Sequence, residues 1–380
     1  MKRFVLSFAG AVLIAGIAAF VFTRPEQAYQ WDLPESIPIP VVPTDNPMTR
    51  VKVELGRWLF YDLRLSVNGT MSCGNCHFQR VAFTDARARA IGATGELHPR
   101  GSMSLVNTAY SSRLTWANHL LDRLEVQALT PMFGENPVEM GMAGREEEIV
   151  SLIRTDPRYQ ELFPKAFPSD EDAFSILNVV RAIASFVRSI VSFESPYDHY
   201  LRGDEASMTV SQVRGMALFF SEQTECFHCH GGFNFTDSST HSGTTIESVG
   251  FHNNGLYNIG EHGGYPADNT GLHDLTGRPR DMGRFKAPTL RNIAMTAPYM
   301  HDGSVGTLEE ALDHYQQGGR LIADGPHAGD GSRNPYKSVF VRQFELSDSE
   351  REDLLAFLRA LTDESVLMKP AFSNPFNDPD

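Results

Sequence analysis

Cysteine is scarce in this 380-residue chain, with four in all, and every one falls in a Cys-x-x-Cys-His run. The runs are Cys73-Gly-Asn-Cys76-His77 and Cys226-Phe-His-Cys229-His230. No cysteine is left over. Zinc sites and redox disulfides also use Cys-x-x-Cys, but neither explains a His directly after both pairs. Positive charge is short as well: 33 Lys and Arg against 47 Asp and Glu give a formal charge of −14. That deficit argues against nucleic acid or an anionic lipid surface as partner and suits a basic or neutral protein. Disorder is excluded by composition, since 41% hydrophobic residues with 22 prolines describe a globular chain with long loops.

What the two runs do offer is covalent haem attachment. The paired thiols, Cys73 with Cys76 and Cys226 with Cys229, add to the vinyl groups of a porphyrin. His77 and His230 then become the proximal iron ligands of two haems c. Two such motifs, far apart in a chain of this length, predict two haem-bearing domains.

The rest of the chain fits around them. Met1-Lys2-Arg3 and the uncharged run from Phe4 to Phe22 form a charged n-region and an apolar h-region, so residues 1–24 are a signal peptide or a retained anchor. No clean small-residue cleavage site follows, and both stay open. Export places the protein in the periplasm, with membrane contact only through that segment if it is uncleaved. Residues 25–48 are a proline-rich extended strap. Residues 49–203 form an N-terminal haem domain and residues 204–380 a C-terminal one, divided near Arg202-Gly203-Asp204.

Helical periodicity predicts a mainly α fold of two cytochrome c-like domains with long loops. Helices are expected from near Thr49, over Arg145 to Arg154 and Asp172 to Phe193, from Ser211 into Cys226, after the capping box Thr307-Leu-Glu-Glu310, and from Ser347 to Leu361. Gly56-Arg-Trp-Leu-Phe-Tyr61 ahead of the first haem run echoes Gly215-Met-Ala-Leu-Phe-Phe220 ahead of the second. Two diverged copies of one helix-to-haem unit account for it.

Five segments carry a wider resemblance: Leu55-Gly-Arg-Trp-Leu-Phe-Tyr-Asp-Leu-Arg-Leu-Ser66, the two haem runs taken as a pair, Asn136-Pro-Val-Glu-Met140, Phe285-Lys-Ala-Pro-Thr-Leu-Arg-Asn292 and Thr296-Ala-Pro-Tyr-Met-His-Asp-Gly303. Through them the chain resembles the bacterial dihaem cytochrome c peroxidase and MauG superfamily over nearly its whole length after the leader. The resemblance implies an N-terminal haem that reacts with hydrogen peroxide, a C-terminal haem that relays electrons, and one calcium ion between them. It also implies roles for named residues. Trp116 falls at the aromatic bridge between the haems, Glu139 at the distal carboxylate that moves a proton between peroxide oxygens, and Pro131 at the distal proline, with Pro137 as rival. Gln127 lies in the same distal segment. The calcium shell would take the carbonyls of Thr296 and Pro298. The Asn expected after Arg100 is replaced by Gly101, which leaves Asn107 as a substitute ligand.

Two departures decide the branch. Counted from His77 or back from Arg100, the distal His of the peroxidases falls on Ala93, which cannot ligate iron. His98 is nearby, but a proline follows it and favours a structural role. The peroxidases' Met ligand to the second haem falls on Tyr315, with Met295, Met300 and His314 as alternatives. A phenolate is a harder, anionic donor that lowers the iron potential. Both features resemble the MauG-like branch, whose paired haems hold two oxidising equivalents. Within it, Trp31-Asp-Leu-Pro34, His98-Pro-Arg100 and Met132-Phe-Gly-Glu-Asn-Pro-Val-Glu-Met-Gly141 are most similar to the MbnH group, whose partner is a copper-binding protein with a Trp that is oxidised to kynurenine. The expected activity is therefore peroxide-driven oxidation of a partner-protein residue, a Trp by that resemblance. The alternative is a peroxidase that reduces hydrogen peroxide with electrons from a small cytochrome c or cupredoxin. A pure electron carrier has no use for the open iron position that Ala93 leaves.

Overall fold

A computed structural model describes residues 28–377; the leader expected at residues 1–24 lies outside them. The described chain is mainly helical, and its strands are confined to two antiparallel two-residue ribbons. None of the described helices is long and apolar enough to cross a membrane.

Seven helices organise the fold: α1 Arg50–Tyr61, α2 Glu146–Thr155, α3 Pro157–Ala166, α4 Ile176–Ser189, α5 Val210–Phe219, α6 Leu308–Gln316 and α7 Asp348–Arg359. Their starts follow capping chemistry. Thr49 accepts from the Lys52 N–H, and Thr209, Thr307 and Ser347 each close a capping box with Gln212, Glu310 and Glu350. Leu55, Leu59 and Phe60 of α1 are buried against α4, in a core that also holds Ile153, Phe163 and Phe186. A second core collects Phe219, Phe235, Leu354 and Phe357 around α5 and α7.

The internal echo is a structural repeat. A Cβ on Gly56 would stand 1.9 Å from the Ala182 carbonyl oxygen and 2.9 Å from Phe186 Cβ. On Gly215 it would stand 1.9 Å from the Asp353 carbonyl oxygen and 2.9 Å from Phe357 Cβ. Both helix pairs therefore touch backbone to backbone at the matching glycine, and each then delivers its chain into a haem run.

Two expected helices are shorter than predicted, and one was missed. The helix expected over Asp172 to Phe193 spans Ile176–Ser189, because Ser175 caps Asn178 N–H and Asn107 captures the Ser192 N–H at 2.8 Å beyond its end. The helix expected to run from Ser211 into Cys226 ends at Phe219, and Glu225 then turns with φ +58°. Helix α3 starts on Pro157 with Asp156 as its cap.

The units are clamped together by buried polar contacts. Arg291 makes a two-pronged pair with Asp198, at 2.9 and 3.0 Å, with both side chains buried. Asn292 donates to Ser192 Oγ and accepts from the Asp363 N–H. The described part of the strap, residues 28–48, has no helix and lays Trp31, Leu33 and Ile37 against Tyr110, Phe193 and Phe233. The C-terminal segment returns to the first unit, where Val366 and Phe372 join the α1 core and Tyr61 Oη donates to the Phe372 carbonyl at 2.7 Å.

Candidate active site

Each Cys-x-x-Cys-His run forms a single helical turn that ends at its His, with His77 N–H donating to the Cys73 carbonyl and His230 N–H to that of Cys226, both at 3.0 Å. The imidazoles are aimed alike. His77 Nδ1 lies 2.8 Å from the Phe83 carbonyl and His230 Nδ1 lies 3.2 Å from the Phe235 carbonyl. Both phenylalanines are left-handed, at φ +60° and +50°. Holding Nδ1 on a backbone acceptor leaves Nε2 free to ligate, the usual arrangement behind a metal-bound His. All four thiols are free of disulfide bonds. Burial pushes Cys73 and Cys76 up to about 12 and Cys226 up to about 11. These sulfur environments favour a neutral thiol or thioether, not an exposed redox thiolate.

A cavity of about 410 Å³ opens beside the first run, within the usual size range for small-molecule and cofactor pockets. Its lining gathers Cys73, Cys76, His77, Gln127, Pro131 and Glu139 from three separate stretches of chain. Pro131 stands on a short helix, Leu129–Phe133, while Pro137 is not among the lining residues. Burial raises the Glu139 carboxyl from its ordinary value near 4.5 to about 7. Ala93 is held by its backbone, its N–H donating to the Glu139 carbonyl at 2.6 Å. His98 reaches the cavity wall while its Nδ1 accepts the Arg100 N–H at 3.1 Å.

Trp116 lines this cavity and a second one of about 90 Å³ between the units. Its indole N–H donates to the Gly101 carbonyl at 2.9 Å, and its own carbonyl accepts the Lys286 N–H at 2.7 Å. Thr296, Pro298 and Asp85 line the smaller cavity. Asp85 is buried, and its Oδ2 has no hydrogen-bond partner among the described residues. Asn107 is engaged elsewhere: its amide donates to Asn234 Oδ1 and the Ser192 carbonyl and accepts from the Ser192 N–H. An orphaned buried carboxylate in a small cavity is a donor suited to a hard cation, so Asp85 is the residue here that would hold a calcium ion. Sequence reasoning missed Asp85; its signal was the charged residue eight positions after His77, inside a loop that the haem run fixes.

Near the second run, α6 carries Tyr315. Burial pushes its phenol up to about 12 against a hydrogen bond from Asn254, and the nearness of Cys229 and Cys226 adds to the rise. The rival ligands are otherwise engaged. His314 Nε2 lies 3.0 Å from the Asn254 carbonyl, Met300 Sδ lies 3.3 Å from the Asn254 amide, and Met295 packs against the first core.

The comparisons with known proteins agree with this geometry. Residues 50–206 match the family described as di-haem cytochrome c peroxidase. The methylamine utilization protein MauG of Methylorubrum extorquens is 35% identical over 87% of this chain and 83% of its own length. Cytochrome-c peroxidase IdrP1 of a Pseudomonas species is 34% identical over 87% of this chain and 86% of its own. The crystal structure of a MauG-like protein associated with microbial copper homeostasis superposes with a TM-score of 0.90 at 51% identity, covering 92% of this chain and 100% of that one. The chain belongs to the di-haem cytochrome c peroxidase and MauG family of haem-dependent oxidoreductases that use peroxide.

Proposed function

We propose that this is a periplasmic MauG-like enzyme that spends the oxidising power of hydrogen peroxide on a residue of a partner protein, a Trp on a copper-binding protein in the MbnH manner. The observation that carries the proposal is the pair of replaced ligands: Ala93 where a resting peroxidase needs His, and Tyr315 where it needs Met. The 51% identity to a MauG-like protein associated with copper homeostasis supports the copper-linked partner.

The two haems supply the redox chemistry when bound at Cys73–His77 and Cys226–His230. The chain's own residues do the rest. His77 holds its ring on Phe83 so that Nε2 faces the first cavity. Glu139, with its raised carboxyl, takes a proton from the incoming peroxide oxygen and returns it to the leaving one. Gln127 and Pro131 shape the same wall, Pro131 keeping water back. Trp116, which lines both cavities, would bridge the two haems when they are bound, and the Tyr315 phenol would supply an anionic oxygen ligand to the second. Asp85 with the Thr296 and Pro298 carbonyls holds calcium at the junction.

The test is an electronic and Mössbauer spectrum of the fully oxidised protein before and after one equivalent of peroxide, without donor. One high-spin and one low-spin haem, converting to a long-lived state two equivalents higher, is the expected result. Two low-spin haems that ignore peroxide until one is reduced would return the chain to the ordinary peroxidases, a second reading favoured by the 34% identity to cytochrome-c peroxidase IdrP1.

A further inference from the structure

Lys286 is a charged residue that the mechanism above leaves unused. It lies on the strand Phe285–Lys286, paired antiparallel with Phe251–His252, and is 6% exposed. Its backbone is fixed to Trp116 through the 2.7 Å hydrogen bond to that residue's carbonyl. The residue lines both the larger cavity beside the first haem run and the smaller one at the junction, and its side chain has no hydrogen-bond or ion-pair partner among the described residues.

A buried ammonium needs an anion. Leaving one unpaired costs several kcal/mol, and the second unit does little to relieve it. The charge of Asp237 is the one that bears on Lys286, and that carboxylate is already spent, with His252 Nε2 2.6 Å from its Oδ2. Burial pulls the ammonium down to about 8 in consequence. Asp85 lines the same small cavity, yet its Oδ2 has no partner either, so the two do not satisfy one another. A cation without a partner in the wall of a haem-sized cavity is what a porphyrin would meet with its carboxylates, which are the anionic edge of an otherwise apolar ligand.

We propose that Lys286 pairs with a carboxylate of the haem bound at Cys73–His77, and that this fixed positive charge beside Trp116 raises the potential of the first haem. Lys286 is thus a positioning and tuning residue. The inference rests on the reading that haem occupies the first cavity, and the two fail differently. Absence of two covalent haems in the wild-type protein defeats the occupancy, whereas unmoved potentials in a loaded variant defeat the role of Lys286 alone.

The experiment uses the full holoprotein. Covalent haem is counted in the wild type, in Lys286→Met and in Lys286→Arg, and both midpoint potentials are then followed by optical redox titration. Lys286→Met is expected to lower the potential of the first haem, because loss of the cation stabilises the more positive oxidised iron. Lys286→Arg, which keeps the charge, is expected to stay near the wild type. Should Lys286→Met fail to load haem, Lys286→Gln keeps the stem and a donor but not the charge, and carries the same expectation. An unmoved first potential in a loaded neutral variant overturns the proposal, as does a shift confined to the second haem.

Discussion

Replacing Glu139 with Gln should make the enzyme slower and, at high pH, more stable. Burial alone moves the Glu139 carboxyl from near 4.5 to about 7. At about 1.4 kcal/mol per unit, the cavity disfavours the carboxylate by at most about 3.5 kcal/mol, less whatever the solvent-facing part of the group recovers. The sign follows from the raised value. The folded state prefers the protonated acid, so the stability that this site contributes is fully present below about pH 4.5 and is lost as pH rises through about 7. Near neutrality the group is poised to accept a proton and to give it back, and a positioned acid–base group of this kind is worth about 10²–10⁴-fold in rate. Glutamine keeps the shape, cannot accept the proton, and does not charge at high pH. Stopped-flow reaction with peroxide should rise with pH through about 7 in the wild type and be flat and about 10²–10⁴-fold slower in Glu139→Gln. Denaturant unfolding should show the variant gaining on the wild type between about pH 4.5 and about pH 7, with a constant gap above. A variant that reacts as fast as the wild type, or a stability gap that does not widen with pH, refutes the assignment.

The remaining predictions concern the second site, the repeat and the junction. Tyr315→Phe removes the phenolate from the second haem and should raise its midpoint potential and change its visible spectrum; an unaltered spectrum removes Tyr315 from the ligand set. Gly56→Ala, which in a free helix gains about 1 kcal/mol, should instead lose about 1–3 kcal/mol by overpacking, since its Cβ would meet backbone at 1.9 Å. Gly215→Ala should behave alike, and denaturant midpoints that rise in both would show that the helix pairs open at little cost. Chelation by EDTA should lower the wild-type melting temperature and leave Asp85→Ala unmoved, because the variant has already lost its cation; equal responses in the two would place the calcium elsewhere.

Legibility in the sequence followed the range of the physics. The haem runs were readable because covalent chemistry fixes their spacing, and the helix starts because Thr49, Thr209, Thr307 and Ser347 cap within a few residues of themselves. The end of α4 was not, since it depends on the side chain of Asn107 reaching Ser192 from a distant part of the chain. Helix α3 was hidden by Pro164 within it, although Tyr159, Phe163 and Ala166 already mark a buried face. Asp85 and Lys286 are ordinary charged residues in one dimension. Lys286 falls within one of the five segments that carry the resemblance, but its burial, like that of Asp85, depends on residues far away along the chain.

The arrangement of the cavities also bears on where oxidation happens. Haem bound at Cys73–His77 would occupy the larger cavity, whose wall also holds Glu139. In the proposed reaction, oxidising equivalents produced there would leave through the protein. Trp116 stands in the wall of both cavities, its indole N–H and its carbonyl each fixed by a hydrogen bond, so its ring is held in place between the two units. Beyond it, a phenolate at Tyr315 would make the second haem easier to oxidise, while Lys286, on the near side, would make the first one harder. The two charges pull the same way. They bias an electron deficit formed at the first haem toward the second, and a partner protein need only dock within reach of the second unit to receive it.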